Sequence, residues 1–217
     1  MKNLNITYLF DPLCGWCYGA APAIRALAAS DGLTVIPTPT GLFSHTGRLM
    51  DAAFARHAWS NDQRIAQMTG QAFSEAYRVQ ILGDHTQPFD SAAIVNAMTA
   101  VKLSAPEQEL AALAAIQHAR YVDAKIITDN AVLADILNSL GLHEAAENLN
   151  NEAVIRAAEQ RIAEGRALAH QFGIQGVPSL VVQAADGSLP AKLIGSSMLF
   201  ESGDHLAAKV HQAYQAA

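Results

Sequence analysis

The chain has 217 residues, 51% of them hydrophobic, and a formal net charge of −6. That much apolar material buries a full core without staples, and the acidic balance, with no basic run, excludes a nucleic-acid or anionic-membrane surface. No apolar stretch nears the roughly 20 residues that span a bilayer, and residues 1–6 (MKNLNI) lack a signal core, so the expectation is a cytoplasmic protein with no membrane partner.

Residues 4–10 have the β-branched and aromatic content of a strand, and Asp11-Pro12 is a turn signal. A helix is expected over 14–30, with Ile24, Leu27 and Ala28 facing a sheet and Pro22 kinking the end that holds the cysteines. Residues 33–38 read as a second strand that Pro37 and Pro39 terminate.

From Gly41 to Gly173 the periodicity is helical. Ser60-x-x-Gln63 is a capping-box pattern before Ile65, Met68, Ala72, Phe73 and Tyr77, which share a stripe. Asp90 precedes Ile94, Met98 and Val101. Ser104-x-x-Glu107 with Pro106 introduces Leu110, Leu113 and Ala114. Asp129 precedes a run through Leu140 that Gly141 ends, and Asn151 begins a long segment that Gly173 stops. These stripes read as the core of a bundle. Beyond Gly173, residues 179–184 and 191–195 read as strands around an Asp186-Gly187 turn, and 199–215 as a last helix. The ends therefore spell β-α-β and β-β-α around a helical passage, an α/β protein whose sheet carries helices on its faces.

Chemistry centres on Cys14-Gly15-Trp16-Cys17, which holds both cysteines of the chain at a strand-to-helix junction. Unpaired N–H groups at a helix start favour a thiolate, so Cys14 is the candidate nucleophile. Cys17, one turn on, would attack the mixed disulfide and release product. A zinc site lacks a second C-x-x-C, and His205 and His211 read as surface residues of the last helix. A structural disulfide across so short a loop would constrain the unfolded chain little. Asp11 reads as a turn former before Pro12, with proton shuttling to Cys17 as the alternative. Ser44, His45 and Asp51 are close in sequence without implying a triad.

Cys14-Gly15-Trp16-Cys17 followed by Pro22, paired with Gly176-Val177-Pro178-Ser179 before a C-terminal strand, resembles a thioredoxin-fold protein. With the helical passage between, the layout resembles the DsbA family, and Phe10 to Gly19 is similar to its FrnE-like branch. The resemblance implies a thioredoxin-like domain over 1–42 and 173–217, with part of the 151–172 helix packed on it, and an inserted helical domain over 43–172. It implies that Cys14 is the exposed nucleophile, Cys17 the resolving thiol, and Val177–Pro178 a cis bond facing them. Gly15, Trp16, Val177 and Pro178 would line the substrate site, an extended segment pairing with Val177 as an added strand.

Gly15-Trp16 stands where the DsbA prototype has Pro-His, and losing an imidazole near the thiolate makes the dithiol less oxidising. Trp16 then supplies an apolar wall. The implied activity is that of a protein-disulfide oxidoreductase or isomerase, its direction open, acting on cysteine-containing proteins or glutathione. No cofactor or metal is expected beyond glutathione as co-substrate, and the oligomeric state is open. Two other readings stand beside it: a glutathione-dependent isomerase or transferase of the kappa or 2-hydroxychromene-2-carboxylate isomerase type, which typically has serine at the nucleophile position, and a non-enzymatic peptide-binding module.

Overall fold

The computed structural model describes residues 3–201 and 205–216. Its centre is a four-stranded sheet in the order β2-β1-β3-β4. Strand β1 (Leu4–Phe10) runs parallel to β2 (Leu33–Pro39) and antiparallel to β3 (Ser179–Ala184), which pairs antiparallel with β4 (Lys192–Ile194). As an interior strand, β1 buries Leu4, Ile6, Tyr8, Leu9 and Phe10, and this apolar run holds the strand that delivers the cysteines.

The helices are α1 (Gly15–Ala28), α2 (Ala52–Thr69), α3 (Ala92–Ser104), α4 (Glu109–Tyr121), α5 (Asn130–Ser139), α6 (His143–Glu147), α7 (Glu152–Gln171) and α8 (Leu206–Ala216). A π-helical turn spans Tyr77–Ile81. Helices α2 to α7 all fall between β2 and β3 in sequence, and α7 returns to pack on β2 and α3. This is the α/β thioredoxin-like architecture with a helical insertion. Among the described residues no helix is long and apolar enough to cross a membrane.

Several elements differ from the sequence expectation. Strand β2 continues through Pro37 to Pro39 because it is an edge strand. The Pro37 carbonyl accepts from Arg161 Nη2 at 3.0 Å, on the side away from β1, so the missing N–H interrupts no ladder bond. Ala28 is exposed, so of the three residues expected to face the sheet only Ile24 and Leu27 are buried. Helix α2 begins eight residues before Ser60: Asp51 caps it by accepting from Ala53 N and Phe54 N, leaving Ser60 exposed in mid-helix. It ends at Gly70 (φ 74°), which divides the expected stripe and leaves Met68 exposed. Ser104 ends α3, donating to the Ala100 carbonyl rather than capping α4, which follows a 3-10 turn at Pro106–Gln108.

Asp90 Oδ1 does accept from Ala92 N, and Asp129 and Asn151 cap α5 and α7. The last helix is shorter than expected: a 3-10 segment covers Ser196–Phe200, 202–204 lie outside the described residues, and α8 follows. His211 is buried on α8 rather than at the surface, and burial pushes its imidazole below its ordinary value.

Two polar ties lock the insertion to the sheet domain. Pro22 lies inside α1 and cannot bond the Tyr18 carbonyl, which instead accepts from Gln71 Nε2 at 3.1 Å. Arg161 on α7 donates to the Pro37 carbonyl of β2, and within the insertion it pairs with buried Glu109 of α4 and donates to Thr99 Oγ1 of α3 at 3.1 Å.

Candidate active site

The turn between β1 and α1 is built almost entirely by buried hydrogen bonds. Asp11 has no exposed surface. Its Oδ1 accepts from Leu13 N at 2.9 Å, and its Oδ2 accepts from Phe43 N at 3.1 Å and from Ser91 Oγ at 2.8 Å. It is therefore a turn former and a link to the insertion. Burial pushes its carboxyl up, and these three bonds oppose that shift. The carbonyls of Pro12 and Leu13 accept from Gln117 Nε2 and Tyr121 Oη of α4, at 3.4 and 2.9 Å. Ser44 faces Ser91 at 2.9 Å while Asp51 caps α2, so neither belongs to a triad with His45.

Cys14 thus arrives at the N-cap of α1 in extended conformation (φ −80°, ψ 116°), with no side-chain cap on the helix. The N–H groups of the first turn have no intrahelical acceptor, so α1 presents its positive end at this cysteine. Both cysteines are free thiols, Cys14 8% exposed and Cys17 fully buried. The Cys14 thiol donates to the Val177 carbonyl at 3.5 Å, and Val177–Pro178 is cis. Burial pushes the Cys17 thiol well up, and the neighbouring Cys14 adds to the effect. Beneath it, Tyr8 Oη donates to the Cys17 carbonyl at 3.4 Å.

A cavity of ≈ 140 Å³ opens on the nucleophile, lined by Cys14, Gly15 and Trp16 on one side and by Asp62, Tyr77 and Tyr121 on the other. Trp16 is half-buried, edge-on to Phe200 with centroids 5.2 Å apart, and the Arg64 guanidinium lies 5.6 Å from its ring. A Cβ on Gly15 would come within 2.6 Å of Asp62 Oδ1, so a side chain there would displace the Asp62 carboxyl. Asp62 is only 3% exposed and its Oδ2 accepts from Tyr77 Oη at 3.1 Å. Burial pushes this carboxyl up to about 7, against the opposing effects of Tyr77 and Arg120. On the far side of Val177 lies a larger groove of ≈ 600 Å³, lined by Thr40, Gly41, Leu42, Arg166 and His170. It is reached because Gly173 (φ 62°) lets α7 stop and the chain turn toward Val177.

The structure therefore brings Cys14, Gly15 and Trp16 into one cavity wall and sets Val177, followed by Pro178, against the Cys14 sulfur. Sequence reasoning missed Asp62 and Tyr121, and treated Tyr77 as core only. One signal was available: Asp62 lies three residues before Ile65, on the same helical face as a fully buried side chain.

Residues 5–207 match the DSBA-like thioredoxin domain family. Among solved structures, the chain is similar to the cytosolic disulfide reductase DsbM from Pseudomonas aeruginosa, at 29% identity and TM-score 0.86, covering 98% of this chain and all of DsbM. The structure of DsbM with GSH aligns at 30% identity and TM-score 0.82, over 97% of this chain and 99% of the other. A putative protein disulfide isomerase from Nitrosomonas europaea shares the fold, at 24% identity and TM-score 0.77, over 99% and 97% of the two chains. No curated protein sequence matches this one.

Proposed function

The chain belongs to the DSBA-like thioredoxin domain family, and from that membership we propose that it is a thiol–disulfide oxidoreductase in which Cys14 is the nucleophile and Cys17 the resolving thiol. The observation that carries this reading is the placement of the Cys14 sulfur at the start of α1 and 3.5 Å from the Val177 carbonyl, with Cys17 buried one turn behind it. Cys14, as thiolate, attacks one sulfur of a substrate disulfide. The new bond joins Cys14 to that sulfur, and the other leaves as a thiolate that takes up the proton Cys14 released. Cys17, kept protonated by burial until then, loses its proton and attacks the Cys14 sulfur. The second substrate thiolate departs with that proton, and two electrons have passed from the dithiol to the substrate.

Glutathione fits the return half-reaction: two glutathione thiols reduce the Cys14–Cys17 disulfide and leave as one glutathione disulfide. DsbM, described as a cytosolic disulfide reductase and also solved with GSH, supports this direction, glutathione as partner, and a cytoplasmic setting. Isomerisation requires only the reduced dithiol and a mispaired substrate. Gly15 and Trp16, which line the cavity, and Val177 with Pro178, beside the Cys14 sulfur, are the residues against which a cysteine-containing segment would lie. Cysteine at position 14, with Cys17 retained, favours exchange over the glutathione-dependent isomerase reading, and disulfide transfer separates it from peptide binding alone. The test is glutathione-dependent reduction of a protein disulfide by the wild type, Cys14→Ser and Cys17→Ser. Turnover is expected to be abolished in Cys14→Ser and slowed in Cys17→Ser, whose mixed disulfide only glutathione can resolve; equal turnover by Cys14→Ser would overturn the assignment.

A further inference from the structure

Asp62 is an ionisable group that the exchange mechanism above does not use, yet it lies in the wall of the cavity that Cys14 lines. It sits on α2, whose other face is exposed, but is itself 3% exposed. Its Oδ2 is fixed by the Tyr77 hydroxyl at 3.1 Å, and its Oδ1 is pressed against Gly15, the residue next to the nucleophile. An enclosed carboxylate this close opposes a second negative charge in the same space. The reduced form of a dithiol gains its stability from its thiolate, and whatever weakens the thiolate makes the pair a better electron donor. We propose that Asp62 sets the redox poise of the Cys14–Cys17 pair, its carboxylate disfavouring a thiolate in the shared cavity and so biasing the dithiol toward reduction of substrates.

Groups facing Asp62 come from each element packed around it: Cys14 from the head of α1, Tyr77 from the π-helical turn, Arg120 and Tyr121 from α4, and His57 from α2 itself. Arg120 lies 5.6 Å from the Tyr77 ring and 5.8 Å from the Tyr121 ring, and its Nε has no hydrogen-bond partner. Its charge tempers that of Asp62. Once the carboxylate is removed, the guanidinium favours the thiolate, which reinforces the expected direction. Tyr77 and Tyr121 are neutral, burial holding both phenols above their ordinary range, and His57 is exposed to solvent.

The inference rests on the exchange reading, and its test is the equilibrium in which one glutathione disulfide oxidises the dithiol and two glutathione thiols are released with its two protons. Wild type, Asp62→Asn and Tyr77→Phe are equilibrated in glutathione buffers, quenched with acid and scored for the Cys14–Cys17 disulfide. At about pH 8, Asp62→Asn should be harder to oxidise, its equilibrium constant lower by roughly tenfold, equivalent to about 30 mV. Tyr77→Phe, which removes the donor that favours the ionised carboxyl, should shift the same way by less. At about pH 5.5, where Asp62 is protonated, wild type and Asp62→Asn should agree within about twofold, a convergence that a packing defect does not produce. A folded Asp62→Asn whose constant at about pH 8 matches the wild type, or favours oxidation, overturns the proposal. Should Asp62→Asn not fold, Tyr77→Phe decides on the same criterion. A wild type that forms no Cys14–Cys17 disulfide in any buffer overturns the exchange reading itself.

Discussion

The Cys14 sulfur and the Val177 carbonyl oxygen lie 3.5 Å apart although 163 positions separate the two residues. The thiol is the only donor in that contact, so converting Cys14 to a disulfide removes it. The segment leading into Pro178 should then lose protection: hydrogen exchange over residues 174–177 is expected to be faster in the oxidised protein than in the reduced one. Equal exchange in the two states would mean the contact does not hold the segment.

The difference in burial between the cysteines predicts selective chemistry. With Cys17 fully buried and its thiol pushed up, a small alkylating reagent at neutral pH should label Cys14 alone in the native protein and both cysteines after unfolding. Peptide mapping by mass spectrometry reads the result, and early labelling of Cys17 would contradict it.

Gln71 offers a test of how the insertion is tied to α1. Gln71→Ala leaves the Tyr18 carbonyl, released by Pro22, without its partner and should cost about 1 kcal/mol in denaturant unfolding. A Gln71→Glu variant, which keeps length but loses the donor, should cost a similar amount.

What could be read from the chain alone follows the range of the forces involved. Asp129 and Asn151 were legible as caps because a cap is local, its acceptor and donors only two residues apart. The same logic misplaced the start of α2, since Ser60 and Gln63 have the spacing of a capping box while Asp51 holds the actual N-terminus. Strand β2 runs through Pro37 because it lies at the sheet edge, and strand order is set by long-range pairing. Cys14, Trp16 and the Val177–Pro178 pair were legible through their motifs. Asp62 was not, because an acidic residue on an amphipathic helix reads as solvated until the neighbouring helices are in place.

The Arg161–Glu109 pair predicts a coupled stability effect. Arg161→Met leaves Glu109, 1% exposed, as an uncompensated charge with only Lys102 at 3.8 Å, and should cost about 3–5 kcal/mol. Adding Glu109→Gln should recover part of that loss. Independent, additive losses in a double-mutant cycle would show the pair is not coupled.

Asp62 also gives stability a pH dependence of known sign. Its carboxyl, ordinarily at 3.8, is pushed up to about 7 by burial, so between those values the folded chain holds a proton that the unfolded chain has lost. Its contribution is therefore fully present at acid pH and is lost as pH rises through about 7. Relative to wild type, Asp62→Asn should gain stability across that window, by roughly 2–4 kcal/mol at its alkaline end. Thermal unfolding of both proteins from acid to mildly alkaline pH measures it, and parallel curves would contradict the assignment.

The central claim, that Cys14 makes the first bond to substrate and Cys17 breaks it, is tested most directly by trapping. Without Cys17 the mixed disulfide has no intramolecular escape. Cys17→Ser and Cys14→Ser proteins are incubated with glutathione disulfide, and the adducts are mapped by mass spectrometry under non-reducing conditions. The account predicts one glutathione on Cys14 of the Cys17→Ser protein and almost none on the Cys14→Ser protein. Comparable adducts on Cys17 of the Cys14→Ser protein would contradict it.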